Sequence, residues 1–89
     1  MRDNGVYDFP VNMRAARNTL REQALVAMGE VAEAFAAIEN GESDGRVLEE
    51  LWDARQAIEG CMRRFPTAQV KVARAAVKVK CRARGDYDG

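Results

Sequence analysis

Two acidic pairs stand out because their residue types and spacing could hold a metal ion. Glu30 and Glu33 are three residues apart, as are Glu50 and Asp53, and the 16 residues 34–49 separate the pairs. Residues three apart share one face of an α-helix, so each pair would present two carboxylates side by side. Two such helices packed antiparallel would direct four hard oxygen ligands into one space. The pattern predicts a site for Mg²⁺, with Mn²⁺ as an alternative ion.

The residues one helical turn beyond each acid favour a functional site. Spacing alone would favour ordinary solvated acids, and such acids commonly have a Lys or Arg four residues further along. Here the residues at that spacing are Ala34, Ala37, Ala54 and Ala57. Only Arg46, four residues before Glu50, offers a local positive charge. Carboxylates beside small residues and without ion-pair partners would leave room for a cation and a ligand.

The apolar periodicity predicts two helices that carry the acidic pairs. The first spans about residues 12–40 and ends at Asn40-Gly41. Its apolar stripe is Leu20, Ala24, Ala27, Val31, Phe35 and Ile38. The second spans about residues 46–64, with Ser43 or Asp44 as its N-cap and Phe65-Pro66 as its stop. Its stripe is Leu48, Leu51, Ala54 or Arg55, Ile58, Met62 and Phe65.

A third helix is predicted over about residues 68–83, with Thr67 as its cap. Residues 77–81 alternate like a strand, but no second strand is available for pairing, so a helix is favoured. We therefore predict an all-α antiparallel bundle of about three helices per chain over residues 12–84. Residues 1–11 would form an extended lead-in and residues 85–89 an irregular tail. Because 89 residues bury a modest core, we expect a homodimer or homotetramer to complete the bundle.

The composition excludes several classes of protein. The chain has no histidine, which removes Ser-His and Cys-His nucleophiles and most transition-metal sites. Cys61 and Cys81 are too few for a zinc site, and reduced thiols are favoured over a disulfide. No apolar run could span a bilayer, and the N-terminus leads into no signal-peptide core. A cytoplasmic protein without a membrane partner is predicted.

Basic residues concentrate near the C-terminus. Residues 66–85 contain six basic residues and no acidic one, although the whole chain balances 14 basic against 14 acidic residues. Lys78 and Arg82 would share a helical face, with Lys80 and Arg84 beside it. The segment could be a solvated face, a nucleic-acid patch or a phosphate-binding wall at the mouth of the acidic site. Zero net charge and the lack of interleaved aromatic residues make a nucleic-acid partner the least favoured of these.

The chain resembles the MazG-like all-α nucleoside triphosphate pyrophosphohydrolases, which include dimeric dUTPases and dCTP pyrophosphatases. The resemblance covers about residues 20–87 and rests on the ExxE–gap–ExxD order of the two acidic pairs. Residues 23–35 are similar to the family's first motif helix, and residues 49–53 to its E-E-L-x-D. Residues 80–87 are similar to a K-N-x-x-R-G-x-Y ending. Gly29 and Cys81 depart from residues that are usual in the family.

The resemblance implies Mg²⁺-dependent hydrolysis of a nucleoside triphosphate to the monophosphate and diphosphate. It makes Glu30, Glu33, Glu50 and Asp53 the metal ligands and catalytic groups, and Lys78, Lys80, Arg82 and Arg84 the phosphate-binding candidates. The departures support an alternative, a catalytically inactive helical interaction module of the same fold. A small nucleic-acid-binding protein is the third interpretation. Trp52 could line a base pocket, but a core or interface role is favoured.

Overall fold

A computed structural model describes residues 5–89 of the chain. Within that range the protein consists of four α-helices without a strand: α1 (Met13–Ala16), α2 (Leu20–Glu39), α3 (Asp44–Met62) and α4 (Thr67–Ala83). The all-α prediction is confirmed, with one more helix than expected. None of the helices in the described range is both long and apolar enough to cross a membrane.

The additional helix arises because the predicted first helix is broken at residues 17–19. The Asn12 side chain accepts a hydrogen bond from the Ala15 backbone N–H at 3.0 Å and caps α1. Thr19 then starts α2 with a capping box. The Thr19 hydroxyl accepts a hydrogen bond from the Glu22 backbone N–H, and the Glu22 carboxylate accepts one from the Thr19 backbone N–H. Two independent N-caps on one short stretch give two helices rather than one.

The other helix boundaries follow local sequence signals. α2 ends before Gly41, whose φ of +66° is the left-handed conformation that glycine adopts at low cost. Ser43 is the N-cap of α3, and its hydroxyl accepts from the Arg46 N–H at 3.3 Å. Thr67 is the first residue of α4 rather than its cap, because Pro66 occupies the N-cap position without a side-chain hydrogen bond. Residues 77–81 are helical, as predicted.

α2 and α3 form an antiparallel hairpin whose contact consists of small residues. The buried apolar side chains that these helices contribute are Ala27, Ala34, Ala37, Ala54 and Ala57. Gln23, near the start of α2, donates from Nε2 to the Ala57 carbonyl at 3.1 Å and fixes the register at that end. Gly60 lies against Gln23 and Ala15, where an added Cβ would approach both to about 3.0–3.1 Å. Small side chains therefore set how closely the two helices approach.

The N-terminal segment is tied to the far end of α3. Glu59 is only 2% exposed, and its two carboxylate oxygens accept hydrogen bonds from the backbone N–H groups of Asp8 (2.9 Å) and Phe9 (3.1 Å). The Arg63 guanidinium lies 4.0 Å from the Tyr7 ring centroid and donates to the Phe9 carbonyl at 2.8 Å. Residues 1–4 of the predicted extended lead-in lie outside the described range, and residues 5–9 of it form turns and bends. Residues 7–9 are an anchored part of the domain.

The predicted apolar stripes are mostly exposed in the single chain. We call Val31, Phe35 and Ile38 of α2 with Leu51 and Ile58 of α3 the apolar face; Phe35 is 62% exposed and Val31 is 50% exposed. On each helix these residues lie beside the alanines that make the α2–α3 contact. α4 contributes no buried residue. The periodicity therefore identified α3 and α4 and most of α2 correctly, but the buried side chains between α2 and α3 within one chain are alanines.

We expect Glu59→Ala to lower the free energy of unfolding by about 3 kcal/mol, because two buried backbone N–H groups would lose their acceptor. Urea denaturation at one fixed protein concentration measures this change. Glu39→Ala, at the exposed end of α2, is the matched control and should leave the midpoint nearly unchanged. Equal midpoints for the two variants would show that the Glu59 anchor contributes nothing.

Candidate metal centre

Three of the four predicted acids meet on one side of the α2–α3 contact. One carboxylate oxygen from each of Glu30, Glu50 and Asp53 lies within 4.8 Å of the others, and we call these three residues the carboxylate cluster. Glu30 projects from the middle of α2, while Glu50 and Asp53 are on successive turns of α3. The hairpin thus brings together acids that are twenty or more positions apart in the chain.

The alanines that follow each acid have a different role from the one expected. Ala34, Ala37, Ala54 and Ala57 are all buried in the helix contact. Of the four, only Ala57 also lines a cavity beside Glu30 and Asp53. The small size of all four lets α2 and α3 approach closely enough for short carboxylate side chains from both helices to converge. The alanine pattern therefore points to the site indirectly, through the helix spacing.

Glu50 has a buried carboxylate oxygen that no protein group satisfies. The residue is 8% exposed, and its Oε2 is buried without a hydrogen-bond partner in the described part of the chain. Its other oxygen, Oε1, accepts from Arg46 Nη2 at 2.6 Å. A buried carboxylate oxygen without a donor is costly, so a group that binds it would stabilise the folded protein. A cation between the three carboxylates would do so.

The electrostatics of the cluster are those of crowded like charges. Partial burial, followed by the negative charges of Glu33, Asp53 and Glu50, raises the pKa of Glu30 above its usual value of 4.5. Within the described residues neither Glu30 nor Asp53 forms an ion pair with a Lys or Arg. Arg46 is the local counter-charge, and the attraction of Glu50 raises its pKa.

The donor set fits a hard divalent cation. Mg²⁺ binds oxygen ligands at about 2.0–2.1 Å in an octahedron, which places ligand oxygens roughly 2.9–4.2 Å apart. Among three octahedral positions at most one pair is trans, so oxygens that lie within 4.8 Å of one another need up to about 2 Å of side-chain closure to reach the cis spacing. All three donors are carboxylates, which Mg²⁺ and Mn²⁺ prefer over softer metals.

Glu33 lies outside the carboxylate cluster but close to it. Its side chain is exposed, and its negative charge is one of the causes of the raised Glu30 pKa. No ion pair engages Glu33 in the part of the chain that the structure describes.

The four basic residues predicted to bind phosphate belong to α4 or follow it, and their contacts lie elsewhere. Lys78 lines an apolar groove with Met62, Phe65 and other residues at the junction of α3 and α4. Arg82 approaches the Tyr87 ring at 5.9 Å, and Arg84 forms an ion pair with Asp86 at 2.6 Å. Lys80 is exposed. Within residues 5–89 of one chain, none of these four residues forms a hydrogen bond or an ion pair with the carboxylate cluster.

A cavity of about 310 Å³ opens beside the carboxylate cluster, between α1, α2 and α3. Glu30 and Asp53 line it, so the cluster and the cavity share two carboxylates. We call this cavity the amide cleft, because its other polar walls include the amide side chains of Asn12, Asn18, Gln23 and Gln56. Sequence reasoning did not identify these amides. The Asn12 and Thr19 capping signals were available in the sequence and would have shown that α1 turns away from α2.

Trp52 does not line the amide cleft. Its indole is 48% exposed and packs edge-on against Phe9, with ring centroids 5.8 Å apart. The Arg55 guanidinium lies 5.6 Å from the indole centroid. Trp52 therefore packs at the surface rather than in a core, and its interface role stays a prediction.

We expect Glu30→Gln to raise the Tm of the metal-free protein by a few degrees at pH 7. A raised folded-state pKa means that the ionised carboxylate is disfavoured in the folded protein, so stability is lost as the pH rises through 4.5 and the raised value. Below pH 4.5 both states are protonated, and the advantage of the variant should vanish. Thermal melts in EDTA across this range measure it, with Glu39→Gln as the exposed control. A Tm difference that is independent of pH would contradict the crowding of charge.

Comparisons of the chain with protein-family models, with curated proteins and with solved structures found no match. The chemistry of the site therefore follows from its carboxylates, the unpartnered oxygen of Glu50 and the cavity beside them.

Proposed function

We propose that this protein is a Mg²⁺-dependent nucleoside triphosphate pyrophosphohydrolase, which converts an NTP or dNTP to the monophosphate and diphosphate. The observation that carries the proposal is the convergence of Glu30, Glu50 and Asp53 around the unpartnered, buried Oε2 of Glu50. The resemblance of the two acidic pairs and their flanks to MazG-like enzymes supports the same reaction. The free thiols of Cys61 and Cys81 suit a reducing cytoplasm, which is the location we propose.

Each carboxylate has a role in the proposed reaction. Glu30, Glu50 and Asp53 would hold one or two Mg²⁺ ions, which supply charge neutralisation for the triphosphate and a polarised water. Glu33 lies beside this set and forms no ion pair within residues 5–89, so it is the carboxylate available to accept the proton of the attacking water. The water oxygen would form a bond to the α-phosphorus, and the bond between that phosphorus and the bridging oxygen of the leaving diphosphate would break.

Arg46 would respond to ligand binding. In the structure its guanidinium contacts Glu50 at 2.6 Å, Glu49 at 3.4 Å and Glu42 at 3.5 Å. Its side chain is 52% exposed, so it can leave Glu50 when a cation takes over the negative charge of that carboxylate. A guanidinium at the edge of the site would then be available to a phosphate oxygen.

A second copy of the chain is the partner we propose for the apolar face. Its five large side chains lie along both helices of the hairpin, and a contiguous apolar surface of this kind marks an interface. The buried alanines alone give a small core for 89 residues. In such a homodimer or homotetramer, Lys78, Lys80, Arg82 and Arg84 of one chain could reach the carboxylate cluster of another.

The first test is release of diphosphate from a panel of NTPs and dNTPs in Mg²⁺. We expect turnover that is abolished by EDTA and reduced at least about a hundredfold by Asp53→Asn, because one of the three carboxylates proposed to hold the metal ion is lost. Asp44→Asn, at the exposed start of α3, is the matched control and should keep full activity. If no nucleotide is hydrolysed and Mg²⁺ leaves the Tm unchanged, the inactive interaction module becomes the better interpretation.

The second test concerns assembly. Analytical ultracentrifugation should find the wild type as a dimer or tetramer and Phe35→Arg as a smaller species, because a charge would enter the apolar face. Ala36→Arg introduces the same side chain at the neighbouring exposed position, which points away from that face. It should retain the wild-type mass. A monomeric wild type at micromolar concentration would contradict the proposed assembly.

A further inference from the structure

The amide cleft has the size and position of a binding site for the part of the substrate that the cation does not touch. Its volume of about 310 Å³ is at the lower end of the range found for small-molecule sites, about 300–1,000 Å³. Glu30 and Asp53 belong to both the cleft and the carboxylate cluster. A molecule with its phosphates at the cluster would therefore have its remaining part beside or within the cleft.

The amide side chains of the cleft differ in how many of their hydrogen-bonding groups already have a partner. Gln23 engages both ends of its amide, since Nε2 donates to the Ala57 carbonyl at 3.1 Å and Oε1 accepts from Asn18 Nδ2 at 2.9 Å. Asn12 uses its side-chain oxygen to cap α1. These three amides build the wall of the cleft and hold α1 in place.

Gln56 is the exception. It is half-buried, and within the described residues its amide makes no hydrogen bond. It follows Asp53 by three residues on α3, so both side chains lie on the same face of the helix. Gln56 also borders a second cavity of about 260 Å³ under the N-terminal segment, which gives its side chain room to adjust. An uncommitted, partly desolvated amide next to the cluster is available to a ligand.

We propose that the amide cleft binds the nucleoside part of the substrate and that Gln56 is the residue that determines base preference. The proposal rests on the proposed function and adds to it a site for the base. The edge of every nucleobase carries neighbouring hydrogen-bond donors and acceptors, and a primary amide offers one donor group and one acceptor in the complementary arrangement. Gln23, Asn18 and Asn12 shape the cleft, while Gln56 bonds to the base.

The test compares kcat/KM for ATP, GTP, CTP, UTP and the corresponding dNTPs between the wild type and two variants. Gln56→Leu removes the amide, and we expect kcat/KM for the preferred nucleotide to fall about tenfold while the differences between bases shrink. Gln56→Glu replaces the donor group by an acceptor and should change the order of preference. Circular dichroism checks that each variant is folded. Gln69→Leu on α4, outside the cleft, makes the same replacement and should leave the order unchanged.

The outcomes separate this proposal from the one on which it rests. Hydrolysis that needs Mg²⁺ and Asp53 but keeps the wild-type order of bases in both Gln56 variants overturns the base-binding role of Gln56 and leaves the hydrolase intact. A wild type that hydrolyses no nucleotide overturns both. A compressed order in Gln56→Leu together with an altered order in Gln56→Glu supports the assignment.

Discussion

The close contact between α2 and α3 is the constraint on which the rest of the structure depends. Its buried apolar residues are alanines, and the distance between two packed helices is set by the side chains at their contact. Glu and Asp side chains are short, so oxygens from two helices come within 4.8 Å only when the helices themselves are close. Larger residues at Ala34 or Ala54 would fill the contact but separate the carboxylates. The alanine contact thus sets the positions of the carboxylates but adds little to the free energy of unfolding, because each methyl group buries little apolar area.

Stability must then come from other parts of the molecule. The cluster adds repulsion between like charges, and one arginine, Arg46, offsets it. The N-terminal segment supplies a compensating anchor. The buried Glu59 carboxylate accepts hydrogen bonds from two backbone N–H groups of this segment, and Arg63 donates one to the Phe9 carbonyl. α4 buries no residue, and the apolar face stays exposed in one chain. A cation at the cluster would reduce the repulsion between the carboxylates. A second copy of the chain would bury the apolar face.

The sequence predicted the elements well and their contacts less well. Periodicity and stop signals located α2, α3 and α4, because apolar spacing and residues such as Gly41 act through local backbone geometry. That the two acidic pairs lie near each other could be predicted from a single assumption, which is that the two helices carrying them pack antiparallel. The buried face could not be predicted, since alanines and large apolar residues occupy adjacent positions on each helix and periodicity does not say which set meets a neighbour within the chain. The position of the four basic residues relative to the carboxylate cluster could not be predicted either, because it depends on how α4 packs.

The break between α1 and α2 links the missed helix to the missed cavity. A continuous helix over residues 12–40 would carry Asn12 away along the axis of α2, far from α3. With the chain turned at residues 17–19, α1 instead lies against the end of α3, and Arg64 fixes the turn by donating to the carbonyls of Ala15 (2.6 Å) and Asn18. Asn18 then reaches Gln23, and the space between these amides and Gln56 becomes the amide cleft. The capping box at Thr19 therefore does more than begin α2. By ending the continuous helix, it lets α1 and the loop form one wall of the cavity beside Glu30 and Asp53.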